Sequence, residues 1–387
     1  MKIIDNIKNY LFIITSSVII FFILFFLSEI ITRKYLTQYL TVDSNNWKKI
    51  LPSEKDMRDE FIANGDDWID DYLDEVNNLT DVPLIYSPFK IYEFSGNLKS
   101  TYLNVIDGER IPYIVNNSNC SNFREINIFG GSAVHGDGWL RDQDLLNFQI
   151  GKLLEQNGHD CFKFYNRGVS GYNSKQNFLK FFEMEKSENS INIFYDGVND
   201  FIHNIYNGQS HLNQTQYEES FNMLFGFSTY KDQLFKVITS TLNRSKFIKL
   251  ITNTHEKKLT RKWSMNNANG LCEKWSSRAN AIYNENMLKN GDTYFIWQIT
   301  IDNLPYLKNI ERDIKEKTTS HLGDIFNPYE IFRDKCVKEF NNKNIKLHVL
   351  PNLPNQNKVH FFDYVHLNPP GNKIIASNIY NIIKDKF

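Results

Sequence analysis

Hydrophobic positions along this chain follow two regimes. In the first, residues 9–28 form a run of twenty uncharged side chains, mostly Ile, Leu, Phe and Val, bounded by Lys8 and Glu29. A helix of that length, rising about 1.5 Å per residue, spans roughly 30 Å, the hydrocarbon thickness of a bilayer. The run predicts a transmembrane helix over 9–28 behind a short leader, 1–8. A cleaved signal peptide is the competing reading, but no alanine precedes Ala63, so the small-residue cleavage pattern is missing. Lys2 and Lys8 on one side face Arg33 and Lys34 on the other, so charge alone does not orient the helix. Size does: the leader is expected to stay in the cytoplasm and everything after residue 33 to be exported. The expectation is a single-pass membrane protein with an extracytoplasmic domain, periplasmic or at the cell surface.

The second regime begins at Arg124, where short apolar runs of strand character alternate with longer stretches of helical spacing. REINIFGG is followed by a helical pattern with Leu146, Ile150, Leu153 and Leu154 on one face, CFKFYNRG by NSKQNFLKFFEMEKS, and INIFYDG, TYFIWQITI and IKLHVLPNL read as three further strands. Ile375, Ile379, Ile382 and Ile383 mark a closing helix. Such alternation predicts an α/β fold with a parallel sheet, whose functional groups gather beyond the carboxyl ends of the strands. Between the two regimes, Ser53 to Glu75 carries ten acids against Lys55 and Arg58, with Phe61, Trp68, Ile69, Tyr72 and Leu73 interleaved. It reads as short amphipathic helices in a solvated spacer, part of a juxtamembrane spacer and entry to the domain over 29–123. No D-x-[DN]-x-[DN]-G loop accompanies the acids, so a calcium site is not expected there.

Composition narrows the function classes. With 387 residues, 41% of them hydrophobic, the chain can bury a full core. A formal net charge of −1 lacks the basic excess of a phosphate-neutralising protein, so nucleic acid is not an expected partner. Cys120, Cys161, Cys272 and Cys336 include no C-x-x-C pair, which removes zinc-ribbon and thioredoxin-type chemistry and leaves two disulfides in any of three pairings. Nine histidines occur without H-E-x-x-H or H-x-H, so no metal and no cofactor is called for. Seven Lys/Arg against Glu256 between Arg244 and Lys262 read as a solvated helix face, with anionic lipid or glycan as the alternative. Sequons such as those at Asn78 and Asn213 are expected by chance in so asparagine-rich a chain.

Four segments at predicted strand ends and loops carry chemistry. Gly130-Gly131-Ser132 closes the first strand, placing a hydroxyl where a strand turns into a helix and backbone N–H groups face a developing oxyanion; taken singly it also fits an ordinary N-cap serine. Asn166 to Gly171 closes the second strand with glycines that let a substrate approach bare backbone. Gly197-Val198-Asn199-Asp200 closes the third and offers a side-chain amide that donates without titrating, or an Asx turn. Asp363-Tyr364-Val365-His366 spaces a carboxylate one turn before an imidazole, the arrangement that fixes a tautomer and stabilises its cation; His360 nearby is better assigned outside any metal set.

In order and context these segments resemble the blocks of the SGNH (GDSL-like) hydrolase superfamily, with glycine where the naming motif has aspartate. The resemblance covers 124–387, apart from an unassigned insertion around 201–290. It implies a three-layer α/β/α, flavodoxin-like fold, with Ser132, Asp363 and His366 as catalytic residues and Ser132, Gly171 and Asn199 as the oxyanion hole. It further implies a membrane-anchored serine esterase working through an acyl-enzyme on an acylated, commonly O-acetylated, carbohydrate. A carbohydrate O-acetyltransferase would use the same triad. A non-catalytic glycan-binding or assembly scaffold is the alternative from another class.

Overall fold

The structure is a computed structural model that describes residues 53–63, 65–79, 84–87, 90–115, 120, 122–207, 265–354 and 358–387. The apolar run 9–28 with its leader, the basic stretch from Arg244 to Lys262, most of the 201–290 insertion and the sequon at Asn213 lie outside the described residues. Among the described residues no helix is long and apolar enough to cross a membrane.

Helices α1 (Glu54–Ala63) and α2 (Ile69–Asn78) come first, and two antiparallel hairpins come next, β1 (Leu84–Ser87) with β2 (Ile91–Phe94) and β3 (Val105–Ile106) with β4 (Glu109–Arg110). The stretch expected to be a solvated spacer is instead packed. Met57, Phe61, Ile69, Tyr72 and Leu73 form an apolar cluster against Trp139 and Phe362. Their spacing puts one stripe of each acidic helix inward while the carboxylates stay in water.

Six strands then build the main sheet: β5 (Tyr113–Val115), β6 (Arg124–Gly130), β7 (Phe162–Asn166), β8 (Ile191–Asp196), β9 (Asp292–Trp297) and β10 (Leu347–Val349). Their spatial order is β10-β9-β8-β6-β7-β5, with β5 alone antiparallel at the edge. The five parallel strands thus adopt the flavodoxin-like 2-1-3-4-5 order. β8 is buried at every position, as a central parallel strand covered on both faces must be, and Phe194 stacks on Phe129 of the neighbouring strand at 4.6 Å.

From β6 to β7 the chain steps one way across the sheet, and from β7 to β8 it steps back past β6. Right-handed crossovers therefore put the intervening helices on opposite faces. α3 (Ser132–His135) is a single turn after β6, and α4 (Leu146–Gln156) comes after it. α5 (Ser174–Glu183) and α6 (Val198–Asn207) succeed β7 and β8; α7 (Met265–Met287), α8 (Asn309–Leu322) and α9 (Phe326–Asn342) come later; and α10 (Pro369–Ile383) closes the chain. α10 packs on α4, whereas α7 packs on α5 and α9, giving two helical layers around the sheet. Edge strand β5 and helices α8 and α9 are additions to the elements expected from the pattern. Of the three cysteine pairings, the fold makes Cys120–Cys161 and Cys272–Cys336.

Register decides where chemistry collects. Gly130 pairs with Tyr195, Ile128 with Asn166 and Asp196 with Trp297, so the carboxyl ends of four neighbouring strands finish along one edge of the sheet.

Candidate active site

Ser132 is the first residue of α3, directly beyond the end of β6, so its N–H has no acceptor inside the helix. Gly131 before it has no room for a side chain. A Cβ there would lie 2.4 Å from the Asn199 amide nitrogen and 2.9 Å from the Tyr172 carbonyl. The aspartate of the naming motif is thus sterically excluded in this chain, while the serine keeps its place.

The loop before α10 supplies the partners. His366 Nε2 lies 2.7 Å from Ser132 Oγ, across 234 residues of sequence, and His366 Nδ1 lies 2.6 Å from Asp363 Oδ2. The other oxygen of Asp363 accepts the backbone N–H groups of Val365 and His366, each at 2.8 Å. One carboxylate therefore shapes the turn and holds the ring. With the Nδ1 proton directed at Asp363, the neutral ring leaves Nε2 to accept the serine proton.

Burial by itself would lower the His366 pKa. The charge of Asp363, its hydrogen bond and the charge of Asp137 outweigh that and raise it to about 9. Burial pushes Asp363 up, but the imidazolium and the hydrogen bonds from His366 and Val365 hold it below the usual carboxylate value. Asp137 is also held low against burial, through His135, His366 and Ser170. Its Oδ1 lies 2.7 Å from His135 Nδ1 and accepts the Ser170 hydroxyl at 2.7 Å. Sequence reasoning assigned no role to Asp137, His135 or Ser170. Nothing in one sequence links position 137 to position 366, and only the turn after α3 brings them together.

A general base works in its neutral form, so kcat/KM for an ester should rise with pH along a limb centred at about 9, where an ordinary histidine gives 6.5. Replacing Asp137 with asparagine removes one of the charges that raise His366, and pH–rate profiles of the two proteins should show the limb moving to lower pH in the variant. A limb that stays put would separate Asp137 from the base. For folding, the raised His366 pKa contributes stability in full below 6.5 and loses it as pH climbs through about 9.

The three expected oxyanion donors converge on this edge. Gly171 adopts φ +78°, a left-handed conformation that favours glycine, and a Cβ there would lie 2.4 Å from the Tyr92 hydroxyl. That hydroxyl donates to the Ser170 carbonyl at 2.7 Å, and the Tyr172 hydroxyl donates to the Tyr92 carbonyl at 2.5 Å, so β2 straps the loop from both sides. Asn199, the second residue of α6, donates one amide hydrogen to the Tyr172 carbonyl at 2.8 Å. This fixes the amide over Gly131 and leaves a second hydrogen on the same nitrogen.

Asp200 faces inward instead. It accepts both the backbone N–H and the hydroxyl of Ser174, at 3.0 and 2.6 Å, beside Asp196 and Arg278, and burial raises both carboxyls. This buried cluster anchors the β8–α6 turn that carries Asn199. His360 sits against Glu311, 3.8 Å from it, apart from the triad. Among the described residues no group of three or more His, Cys, Asp or Glu is arranged to hold a metal ion.

No family model matches the chain, and no curated protein matches it. Among solved structures it is similar to a lipase/acylhydrolase from Enterococcus faecalis, at 13% identity over 68% of this chain and 97% of that one, with a TM-score of 0.35. It is also similar to a member of the lipolytic G-D-S-L family from Veillonella parvula, at 13% identity over 67% and 98%, TM-score 0.34. A third is an acetyl xylan esterase from Geobacillus stearothermophilus, at 10% identity over 68% and 95%, TM-score 0.34. Likenesses this distant add nothing to the chemistry, which stands on the distances around Ser132.

Proposed function

We propose that the chain is a serine ester hydrolase of the SGNH type. The observation that carries this reading is the continuous path from Ser132 Oγ through His366 to Asp363, at 2.7 and 2.6 Å, assembled from two segments 234 residues apart in sequence. Ser132 Oγ attacks the ester carbonyl carbon as its proton passes to Nε2 of neutral His366, and Asp363 stabilises the resulting cation. The N–H groups of Ser132 and Gly171 and the free amide hydrogen of Asn199 receive the oxyanion, each donor of this kind contributing about 10²–10³ in rate. The carbon–oxygen bond to the alcohol then breaks, with the proton on His366 going to the leaving alkoxide. Water repeats the sequence on the acyl-enzyme and releases the acid.

The same acyl-enzyme would pass its acyl group to a sugar hydroxyl if one displaced water, so a carbohydrate O-acetyltransferase is the neighbouring reading. The substrate proposed is an O-acylated carbohydrate, and the protein is proposed to be anchored in the membrane by residues 9–28 with the domain outside the cytoplasm. The uncharged twenty-residue run alone supports the anchor.

The direct test is covalent labelling with a fluorophosphonate probe. Wild type should label, and Ser132→Ala should not. An unlabelled wild type would leave the fold without the proposed activity.

A further inference from the structure

Asp137 stands on the turn that Ser132 opens, and its N–H donates to the Ser132 carbonyl at 3.0 Å. One of its two carboxylate oxygens is fully used. Oδ1 lies 2.7 Å from His135 Nδ1 and accepts the Ser170 hydroxyl at 2.7 Å, and Ser170 adjoins Gly171 of the expected oxyanion set. Oδ2 makes no hydrogen bond among the described residues. The side chain is 35% exposed, whereas that of Asp363, which holds the imidazole, is 11% exposed. Against the cost of burial, His135, His366 and Ser170 keep Asp137 ionised. It is therefore a charged carboxylate clamped at one oxygen and open at the other.

The alcohol half of an ester has to come to this place. When the acyl-enzyme forms, the leaving oxygen takes its proton from His366 Nε2, so the alcohol lies against that ring. Asp137 is the carboxylate, besides Asp363, whose charge acts on the same ring. What flanks His366 away from Asp363 flanks the alcohol. Covering an ionised oxygen with an apolar group strips it of water and costs free energy, while covering it with a hydrogen-bond donor does not. A cation is the wrong donor here, because it would sit beside the imidazole just as that ring becomes positively charged. A hydroxyl on the carbon next to the ester oxygen brings the hydrogen without the charge.

We infer that Asp137 reads the alcohol half of the ester, accepting at Oδ2 the hydrogen of a hydroxyl vicinal to the acylated one. The inference rests on the serine hydrolase reading and names, within it, the residue and the substrate feature that favour the ester of a polyol or sugar ring over that of a simple alcohol. Asp137 then has two effects that separate cleanly. Its charge on His366 acts on every ester alike, whereas the hydrogen bond acts only on esters whose alcohol carries the neighbouring hydroxyl.

The test uses the full chain and three acetates that share a two-carbon alcohol and differ at its far end: ethylene glycol monoacetate, its methyl ether and acetylcholine. In wild type, kcat/KM for the hydroxy ester should exceed that for the methoxy ester by about tenfold or more, the scale of a hydrogen bond to a charged group. Asp137→Asn keeps an oxygen for His135 and Ser170 and puts an amide nitrogen where Oδ2 was. A hydroxyl and an ether oxygen both accept from an amide, so the hydroxy-to-methoxy ratio should fall to within about threefold. Asp137→Ala, which removes both oxygens, should lower it likewise. Because the ratio is taken within one protein, neither partial loss of folded material nor a moved His366 limb changes it. A wild-type ratio below about threefold overturns the inference. So does a ratio in Asp137→Asn within twofold of wild type, the result expected if the methoxy ester is merely too large. A wild-type kcat/KM highest for acetylcholine overturns it too, in favour of a cationic alcohol. In each of these cases fluorophosphonate labelling of Ser132 persists, whereas absence of labelling together with no turnover of any ester sinks the hydrolase reading itself.

Discussion

Replacing His366 with alanine should lower kcat on a p-nitrophenyl ester by about 10⁶, the scale seen when the base of a serine–histidine–aspartate set is removed. At neutral pH a serine hydroxyl is a poor nucleophile, and in this site the ring nitrogen 2.7 Å from Ser132 Oγ is the group placed to take its proton. No nearby group replaces it. His135, the other imidazole close by, is committed through Nδ1 to Asp137 and its ring is stacked on Phe94. Folding should suffer far less than turnover, because Asp363 keeps the two backbone N–H groups it accepts, and losing one charge-assisted hydrogen bond costs about 1.5–3 kcal/mol. Stopped assays with a thermal melt on the same preparation check both parts. Activity within tenfold of wild type would remove His366 from the mechanism.

Asp363→Asn should cost about 10⁴ in kcat and act by a different route. The asparagine oxygen can still accept from Val365 and His366, so the turn survives. Its amide nitrogen, replacing Oδ2, donates where the carboxylate accepted, which drives the imidazole proton from Nδ1 to Nε2 and aims a donor at the serine. The carboxylate that does most to hold His366 at about 9 is also gone, so the residual activity should show its pH limb well below that of wild type. A merely structural aspartate would lower the melting temperature and leave the limb where it was. Asp363→Ala should be worse for stability, since it removes the acceptor for both backbone amides.

Much of the sheet could be read from the chain because its signals are local. INIF and IFYD are short apolar runs ended by glycine, and each helix after them repeats its apolar positions at helical spacing. The grouping of the proposed site residues was legible for a related reason: parallel strands gather the residues beyond their carboxyl ends, so Ser132 and Asn199 had to meet, and the spacing of Asp363 and His366 is that of one turn. The features that escaped depend on contacts distant in sequence. Asp137 acquires a role only through a turn that brings it to His366. The pairing of Cys120 with Cys161 arises from the approach of the chain before β6 to the start of β7. The acidic stretch from Ser53 to Glu75 shows its helical spacing plainly. Its burial depends on Trp139 and Phe362, which stand more than sixty residues away.

That packing resets where the working unit begins. Trp139 lies just past the nucleophile turn, and Phe362 immediately precedes Asp363; the two rings meet at 5.5 Å and both rest on the cluster formed by α1 and α2. The two loops whose separation sets the serine–imidazole distance are thus braced against each other by residues that precede the first strand of the sheet. A fragment cut at Arg124, where the recognisable strand pattern starts, would retain every reacting side chain and lose the brace that keeps them in register. The acidic segment is accordingly the keystone of the proposed site, and a fragment meant to keep that geometry has to begin at or before Ser53.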